Sequence, residues 1–216
     1  MSTRHESDER IDRLVRWVQG NRRLVSVIGT VTVVLAGGIW FTMSARERRE
    51  LFAERELMQA RATAQAGNLP LATSDLQRLI SRYGGTRSGQ EAALTLAEYR
   101  LSQGQADLAA AEMQSLVREA RSQFRDQAYA TLGIALEQSG QPGQAGQAYM
   151  DGAAATRFDV VAVQLLVAAG RAYAAAGDTA AAARAYERIL SDHEESGAVV
   201  EARLRLAELR RAGAPS

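Results

Sequence analysis

Cysteine and lysine are both missing from this 216-residue chain, and proline occurs only three times. Without cysteine there can be no disulfide, no thiolate nucleophile, no cysteine-ligated zinc and no lipid attached through cysteine. Without lysine, all 26 basic residues are arginine. With 25 acidic residues they leave a formal net charge of +1. That balance gives no concentrated positive surface for phosphates, so nucleic acid is not an expected partner. Aromatics make up 6%, too few for a stacking platform on single strands. The two histidines, His5 and His193, are far apart, and neither sits in a HExxH arrangement. There is no phosphate-cradling glycine loop followed by Lys-Ser/Thr and no GxSxG. No catalytic residue, no metal site and no cofactor is expected, and the chain reads as a non-enzyme. The stretch Asp192–Glu195 holds His193 among carboxylates, but neighbouring side chains diverge, which argues against a metal there.

What is present begins with one long apolar run. Residues 24–43, LVSVIGTVTVVLAGGIWFTM, are twenty residues without a charge. At helical rise they match a hydrocarbon core of about 30 Å. Arg22 and Arg23 bound one end and Arg46 the other, with Trp40 and Phe41 at the position of an interfacial aromatic belt. The run is expected to be an uncleaved transmembrane helix. The competing readings are a cleaved signal peptide, which has a shorter apolar region, and a buried helix of a soluble core. Arginines are balanced on the two sides of the run, so charge bias does not assign an orientation. In the leader, residues 1–23, Ile11, Leu14, Val15 and Val18 recur at helical spacing. This predicts a short amphipathic helix on the membrane surface, against the alternative of a solvated tail.

The remainder, residues 44–216, is periodic. Glycines at 67, 104, 140 and 177 stand 37, 36 and 37 residues apart. Five residues after each comes Ala72, Ala109, Ala145 or Ala182, and four further on Leu76, Met113, Tyr149 or Tyr186. Seven residues before each glycine the residue is small: Ala60, Ala97, Gly133 and Gly170. These are the needs of a helical hairpin. Glycine closes the first helix, a small residue allows the helices to cross closely, and the larger residue is expected to fill the space between neighbouring hairpins. Asn68 and Asp178 are expected N-caps, Pro70 and Pro142 fall in first helical turns, and Ser88-Gly-Gln-Glu91 reads as a capping box. A fifth first-helix carrying Leu206 and Ala207 is expected to end near Gly213. The pattern resembles the tetratricopeptide repeat, whose usual period is 34. The fold class expected is all-α: a single N-terminal transmembrane helix, then an α-solenoid of about four helical hairpins with a C-terminal capping helix. Tyr129, Tyr173 and Tyr186 are expected in the core rather than as a binding stripe.

Such solenoids bind partners on the face made by the first helices. Counting one, four and five residues from each small residue gives Arg61, Gln65, Glu98, Leu101, Ser102, Ile134, Glu137, Gln138 and Arg171 as candidate protein-binding positions, with Ala64, Ala174 and Ala175 in the remaining places. The mixture lacks the Lys/Asn set of repeats that clamp a peptide's terminal carboxylate and fits a broad protein-contact surface better than a carboxylate pocket, against the alternative of merely solvated side chains.

The order of segments adds a more specific resemblance. RWVQGN at 16–21, the apolar run, RERRELFAERELMQA from Arg46, and RYGGT at 82–86 leading into EAALTLAEY are similar to YfgM-type ancillary subunits of the SecYEG translocon. Trp17, Gly20, Asn21 and Trp40 are the matching residues around the anchor. The resemblance implies a single-pass protein of the bacterial inner membrane, N-terminus cytoplasmic and repeats periplasmic. It further implies translocon subunits, a PpiD-like periplasmic chaperone and secreted clients as partners. The alternative is an envelope-assembly or cell-division scaffold of the BamD or CpoB kind. BamD-type proteins are lipoproteins, which the absence of cysteine excludes here, and CpoB-type proteins lose a signal peptide.

Overall fold

In the computed structural model the structure describes residues 21–212, and at positions 22–30, 32–34, 36, 39, 122 and 212 the backbone alone. The amphipathic leader helix expected around Ile11–Val18 lies outside the described residues. Among those residues no helix is long and apolar enough to cross a membrane; most of the 24–43 run falls where side chains are not described.

Nine helices are formed among the described residues, and nothing else regular: α1 (Arg22–Gln65), α2 (Leu69–Tyr83), α3 (Arg87–Ser102), α4 (Ala106–Glu119), α5 (Ser122–Gln138), α6 (Pro142–Ala155), α7 (Asp159–Ala175), α8 (Thr179–Asp192) and α9 (Val199–Ala212). The chain divides into two units, residues 1–49 and 50–216. The second contains the repeats. In it residues 50–65 of α1, then α3, α5 and α7, are first helices, and each is followed by its second helix, α2, α4, α6 or α8. The fifth first-helix, α9, packs on α8 and ends at Ala212.

The four periodic glycines adopt φ of +86°, +72°, +72° and +78°, the only positive values among the described residues. A side chain there would meet open space, so the glycines are needed for backbone conformation and not for room. Each turn then passes directly into the next helix. Asn68 Oδ1 accepts from the Leu71 N–H at 3.2 Å, and Asp178 Oδ1 accepts from the Ala181 N–H at 2.8 Å. Pro70 and Pro142 occupy the first turn of α2 and α6, where a missing N–H breaks no helical bond.

The opening of α3 differs from the expected capping box. Thr86, not Ser88, is the cap: its Oγ1 accepts from the Gly89 N–H at 3.0 Å, and the helix begins at Arg87. Ser88 lies inside the first turn and donates from Oγ to Glu50 Oε1 at 2.7 Å. Glu50 also accepts the Arg87 and Ser88 backbone N–H groups, each at 2.8 Å. The start of α3 is therefore satisfied by a carboxylate one full repeat earlier in the chain. Burial alone would push the Glu50 carboxyl up, but the hydrogen bonds from Ser88 and Arg87 outweigh it and hold it below the ordinary value of 4.5.

The core is built largely of alanine, which contributes little area per residue but lets helices approach. Ala60, Ala97, Ala72, Ala109, Ala145 and Ala182 are all fully buried. Two of the larger repeat residues, Tyr149 and Tyr186, are seen to pack within their own hairpin. A β-carbon at Gly133 would clash with the Tyr149 ring and one at Gly170 with the Tyr186 ring, so each tyrosine packs onto the glycine of its own hairpin. The sizes vary together along the chain: the hairpins with Leu76 and Met113 carry alanine at the small position, and those with Tyr149 and Tyr186 carry glycine. A six-membered ring needs the β-carbon's volume, and an aliphatic side chain leaves room for it. One charged pair is also taken inside. Arg100 on α3 bonds Glu112 on α4 at 3.0 Å, with the arginine side chain only 8% exposed.

Candidate protein-binding site

The nine predicted positions lie on consecutive first helices, as the repeat requires. Seven are exposed: Gln65, Glu98, Ser102, Ile134, Glu137, Gln138 and Arg171. Arg61 and Leu101 are half-buried. Of the alanines in the same rows, Ala174 and Ala175 are exposed and Ala64 is half-buried.

Two of the nine are already engaged by the protein itself. Arg61 reaches across to α3, donating to Glu91 Oε1 at 2.8 Å and to Thr95 Oγ1 at 3.3 Å. Both ends of that ion pair are substantially exposed, so it contributes at most about 1 kcal/mol. Glu137 accepts a hydrogen bond from the Tyr149 hydroxyl at 2.8 Å. The tyrosine ring crosses its hairpin over Gly133 and delivers its hydroxyl to the binding face. Burial, together with the Glu137 hydrogen bond and charge, pushes the Tyr149 hydroxyl above its ordinary value and keeps it a donor.

Arg171 is placed differently. It lines a cavity of about 330 Å³ with Ala174 of α7, Tyr186 of α8, and Arg205, Glu208 and Leu209 of α9. Arg205 bonds Glu208 at 3.0 Å and lies 3.9 Å from Glu201. The positions on α8 and α9 are not among the nine predicted. Glu208 was open to prediction, since it stands 37 residues after Arg171, in the row that begins at Arg61. Tyr186 was read as core, and 98% of it is: it is 2% exposed. Its far edge crosses above Gly170 towards the charged groups of the cavity. Tyr129 and Tyr173, also read as core, are half-buried; Tyr173 donates to Gln147 at 3.1 Å.

Two further hollows are charged. One of about 260 Å³ is lined by Glu50, Glu54, Arg61, Arg87 and Glu91 with Leu57, Met58 and Ser88. Another, of about 530 Å³, lies where α7 begins and α8 ends, with Asp159, Asp192, His193, Glu194 and Glu195 on its rim. His193 Nδ1 is 3.8 Å from Asp159 Oδ1. Among the described residues no group of three histidines or carboxylates converges to hold a metal ion.

Right-placed glycine turns, stacked hairpins and a shared face of first helices define an α-solenoid of the tetratricopeptide type. The chain belongs to the tetratricopeptide repeat-like domain family, whose model matches residues 16–211. Among curated proteins none matches the chain. Solved structures with the same fold include a tetratricopeptide repeat protein from Parabacteroides merdae (TM-score 0.56, 14% identity, 74% of this chain and 60% of that one). The MamA protein is similar over 74% of this chain and 86% of its own (TM-score 0.52, 17% identity). BtubC from P. vanneervenii is similar over 78% and 84% (TM-score 0.51, 15% identity). At these identities the likeness is one of fold.

Proposed function

We propose that the chain is a non-enzymatic, membrane-anchored scaffold that binds other proteins through the exposed face of its first helices. The observation that carries this reading is the composition of that face. Seven of nine predicted positions are open to solvent and mix both charges with amide, hydroxyl and aliphatic groups. Solenoid repeats present such surfaces for extended contacts with partners. The anchor in this proposal is the uncharged run 24–43, which has the length and the flanking arginines of a membrane helix. Anchoring would raise the local concentration of the repeats near any membrane partner without a new contact.

The proposed setting is the bacterial inner membrane beside the SecYEG translocon, with the N-terminus cytoplasmic and the repeats periplasmic. Translocon subunits, a PpiD-like chaperone and emerging secreted proteins are the partners it would hold. This setting rests on the resemblance to YfgM-type subunits. Topology mapping tests it, with a reporter fused after Ser216 and another on the leader. Periplasmic repeats are the expected result, and cytoplasmic repeats would sink it. Crosslinking followed by gentle detergent extraction should recover translocon components, and their absence would remove the translocon assignment.

A further inference from the structure

The last first-helix repeats an earlier one closely. Residues 204–210 of α9 read LRLAELR and residues 94–100 of α3 read LTLAEYR, with leucine, leucine, alanine, glutamate and arginine in the same places. In hairpin two this stretch is covered. Leu94, Ala97 and Arg100 are buried, Met113 of α4 belongs to the same apolar cluster as Leu94 and Ala97, and Glu112 of α4 bonds Arg100 at 3.0 Å. In α9 the corresponding Leu204, Ala207 and Arg210 are all exposed, Leu204 by 57%. Val200, four residues before Leu204 on the same stripe, is 75% exposed, whereas Val163 in its place on α7 is buried. Among the described residues no second helix follows α9. A terminal repeat that faces water needs a polar outer side. Val200, Leu204 and Ala207, at i, i+4 and i+7, make this one apolar. Its charge is one-sided as well. The helix carries four arginines and two glutamates, and both glutamates lie within ion-pair distance of Arg205. Arg203, Arg210 and Arg211, which flank the stripe, form no hydrogen bond or ion pair among the described residues. The carboxylates of Glu194 and Glu195 precede α9, at its other end.

We infer that the open side of α9 is a docking site for an acidic amphipathic helix of a partner protein, which takes the place of a second helix and completes a fifth hairpin. The inference adds a second surface to the scaffold proposed above and does not rest on the nine positions of the shared face. Hairpin two supplies the chemistry. The partner helix brings a long aliphatic side chain to the ground around Leu204 and Ala207, and beside it an acidic residue for Arg210, as α4 brings Met113 and Glu112 to α3. Ala207 keeps the approach close, as Gly133 and Gly170 do where a tyrosine of the second helix crosses them. Helices of a hairpin run antiparallel, so the docked helix starts beside Arg210 and Arg211 and ends towards Val200. Acidic residues in its first turns, where α4 has Asp107, then meet these guanidinium groups and the positive end of their own helix. A second copy of this chain fits worse, because α9 laid on α9 brings three unpaired arginines from each side into one interface.

The probe is α4 itself, residues 106–119 as the peptide ADLAAAEMQSLVRE, with tetramethylrhodamine at the N-terminus and an amide at the C-terminus. A hydrocarbon staple between the positions of Ala111 and Ser115, both exposed in α4, holds it helical. Binding to the full chain in zwitterionic nanodiscs is read by fluorescence anisotropy, with empty discs as background. The peptide should bind saturably. Ala207→Leu fills the open ground from an exposed position and should weaken binding about tenfold, as should Arg210→Glu. A Glu112→Arg peptide should bind the wild type weakly and the Arg210→Glu chain well, which assigns the contact. Glu98→Gln, on the shared face, should change nothing. Thermal midpoints confirm that each variant is folded. No binding of the stapled peptide, equal binding by the wild type and Ala207→Leu, or no recovery in the charge swap would overturn the site. Sedimentation velocity of the chain in detergent reads self-association. A dimer that Ala207→Leu abolishes would give the surface to a second copy and overturn the partner helix. Failure here leaves the scaffold reading standing, because none of the nine residues of the shared face takes part.

Discussion

Tyr186 lies across Gly170 so closely that a β-carbon on the glycine would clash with the ring. Gly170 lies well inside α7, where alanine is the better helix former by about 1 kcal/mol. Packing opposes propensity here, and the buried ring cannot swing away. Gly170→Ala should therefore destabilise the chain by about 1–3 kcal/mol. In a Tyr186→Met background the same change recreates the Ala97 and Met113 combination of the second hairpin and should become stabilising. Denaturation of the two singles and the double closes the cycle, and additive effects would disprove the contact.

Ala182 is fully buried on α8, whereas Ala175 is exposed at the end of α7. Enlarging the first forces helices apart; enlarging the second adds a side chain to solvent. Ala182→Leu should cost about 1–3 kcal/mol and Ala175→Leu less than about 0.5 kcal/mol. Equal melting temperatures would show that the repeat register is wrong.

Glu50 should make the fold sensitive to acid. Its carboxyl is held below the ordinary 4.5 in the folded chain, by hydrogen bonds from Ser88 and Arg87 that outweigh burial. The stability it adds is fully present above the unfolded value and is lost as pH falls through the folded one. Glu50→Gln should cost roughly 1 kcal/mol at neutral pH, the scale of a lost helix cap. The gap between variant and wild type should close as pH drops below 4.5, which melting curves from pH 7 to pH 3 would read. A gap independent of pH would mean that the charge plays no part.

Glu112 should act with the opposite sign. Burial pushes its carboxyl up to about 7, with Arg100 pulling the other way. Between about 4.5 and about 7 the folded chain binds the proton that the unfolded chain has released, so stability falls as pH rises through that window. Glu112→Gln should remove this slope, so that its stability relative to wild type improves from pH 5 to pH 8. Urea denaturation at the two pH values decides it; a relative loss at the higher pH would show that the Arg100 pair dominates.

The hairpin plan was readable in the chain because each of its four turns demands a backbone conformation that only glycine adopts freely, as Gly67 and Gly177 illustrate. Caps beside those turns were equally legible, since Asn68 and Asp178 act on groups three residues away. Choices made by distant residues were not. Ser88 and Thr86 are both plausible caps, and Glu50, one repeat away, draws Ser88 into another role. Gly170 and Tyr186 were each recognised as special, but a list of small and large positions does not say which touches which. The candidate face followed from the period. The cavity beside Arg171 did not, because it also takes the edge of Tyr186, a residue whose spacing marks it as core. Arg100 and Glu112 gave no signal, as a buried charged pair has the same letters as a solvated one.

The matched sizes along the solenoid have a consequence for how such a chain finds its own neighbours. Repeats of one sequence invite pairing with the wrong copy of themselves, which is a common way for repetitive chains to misfold. Here hairpins one and two carry Ala60 with Leu76 and Ala97 with Met113, while three and four carry Gly133 with Tyr149 and Gly170 with Tyr186. If α6 were to dock on α3, Tyr149 would collide with Ala97; if α4 docked on α5, Met113 would leave a void over Gly133. The two gauges keep the second helices of hairpins one and two apart from those of three and four, so that the repetition which builds the scaffold does not exchange its halves.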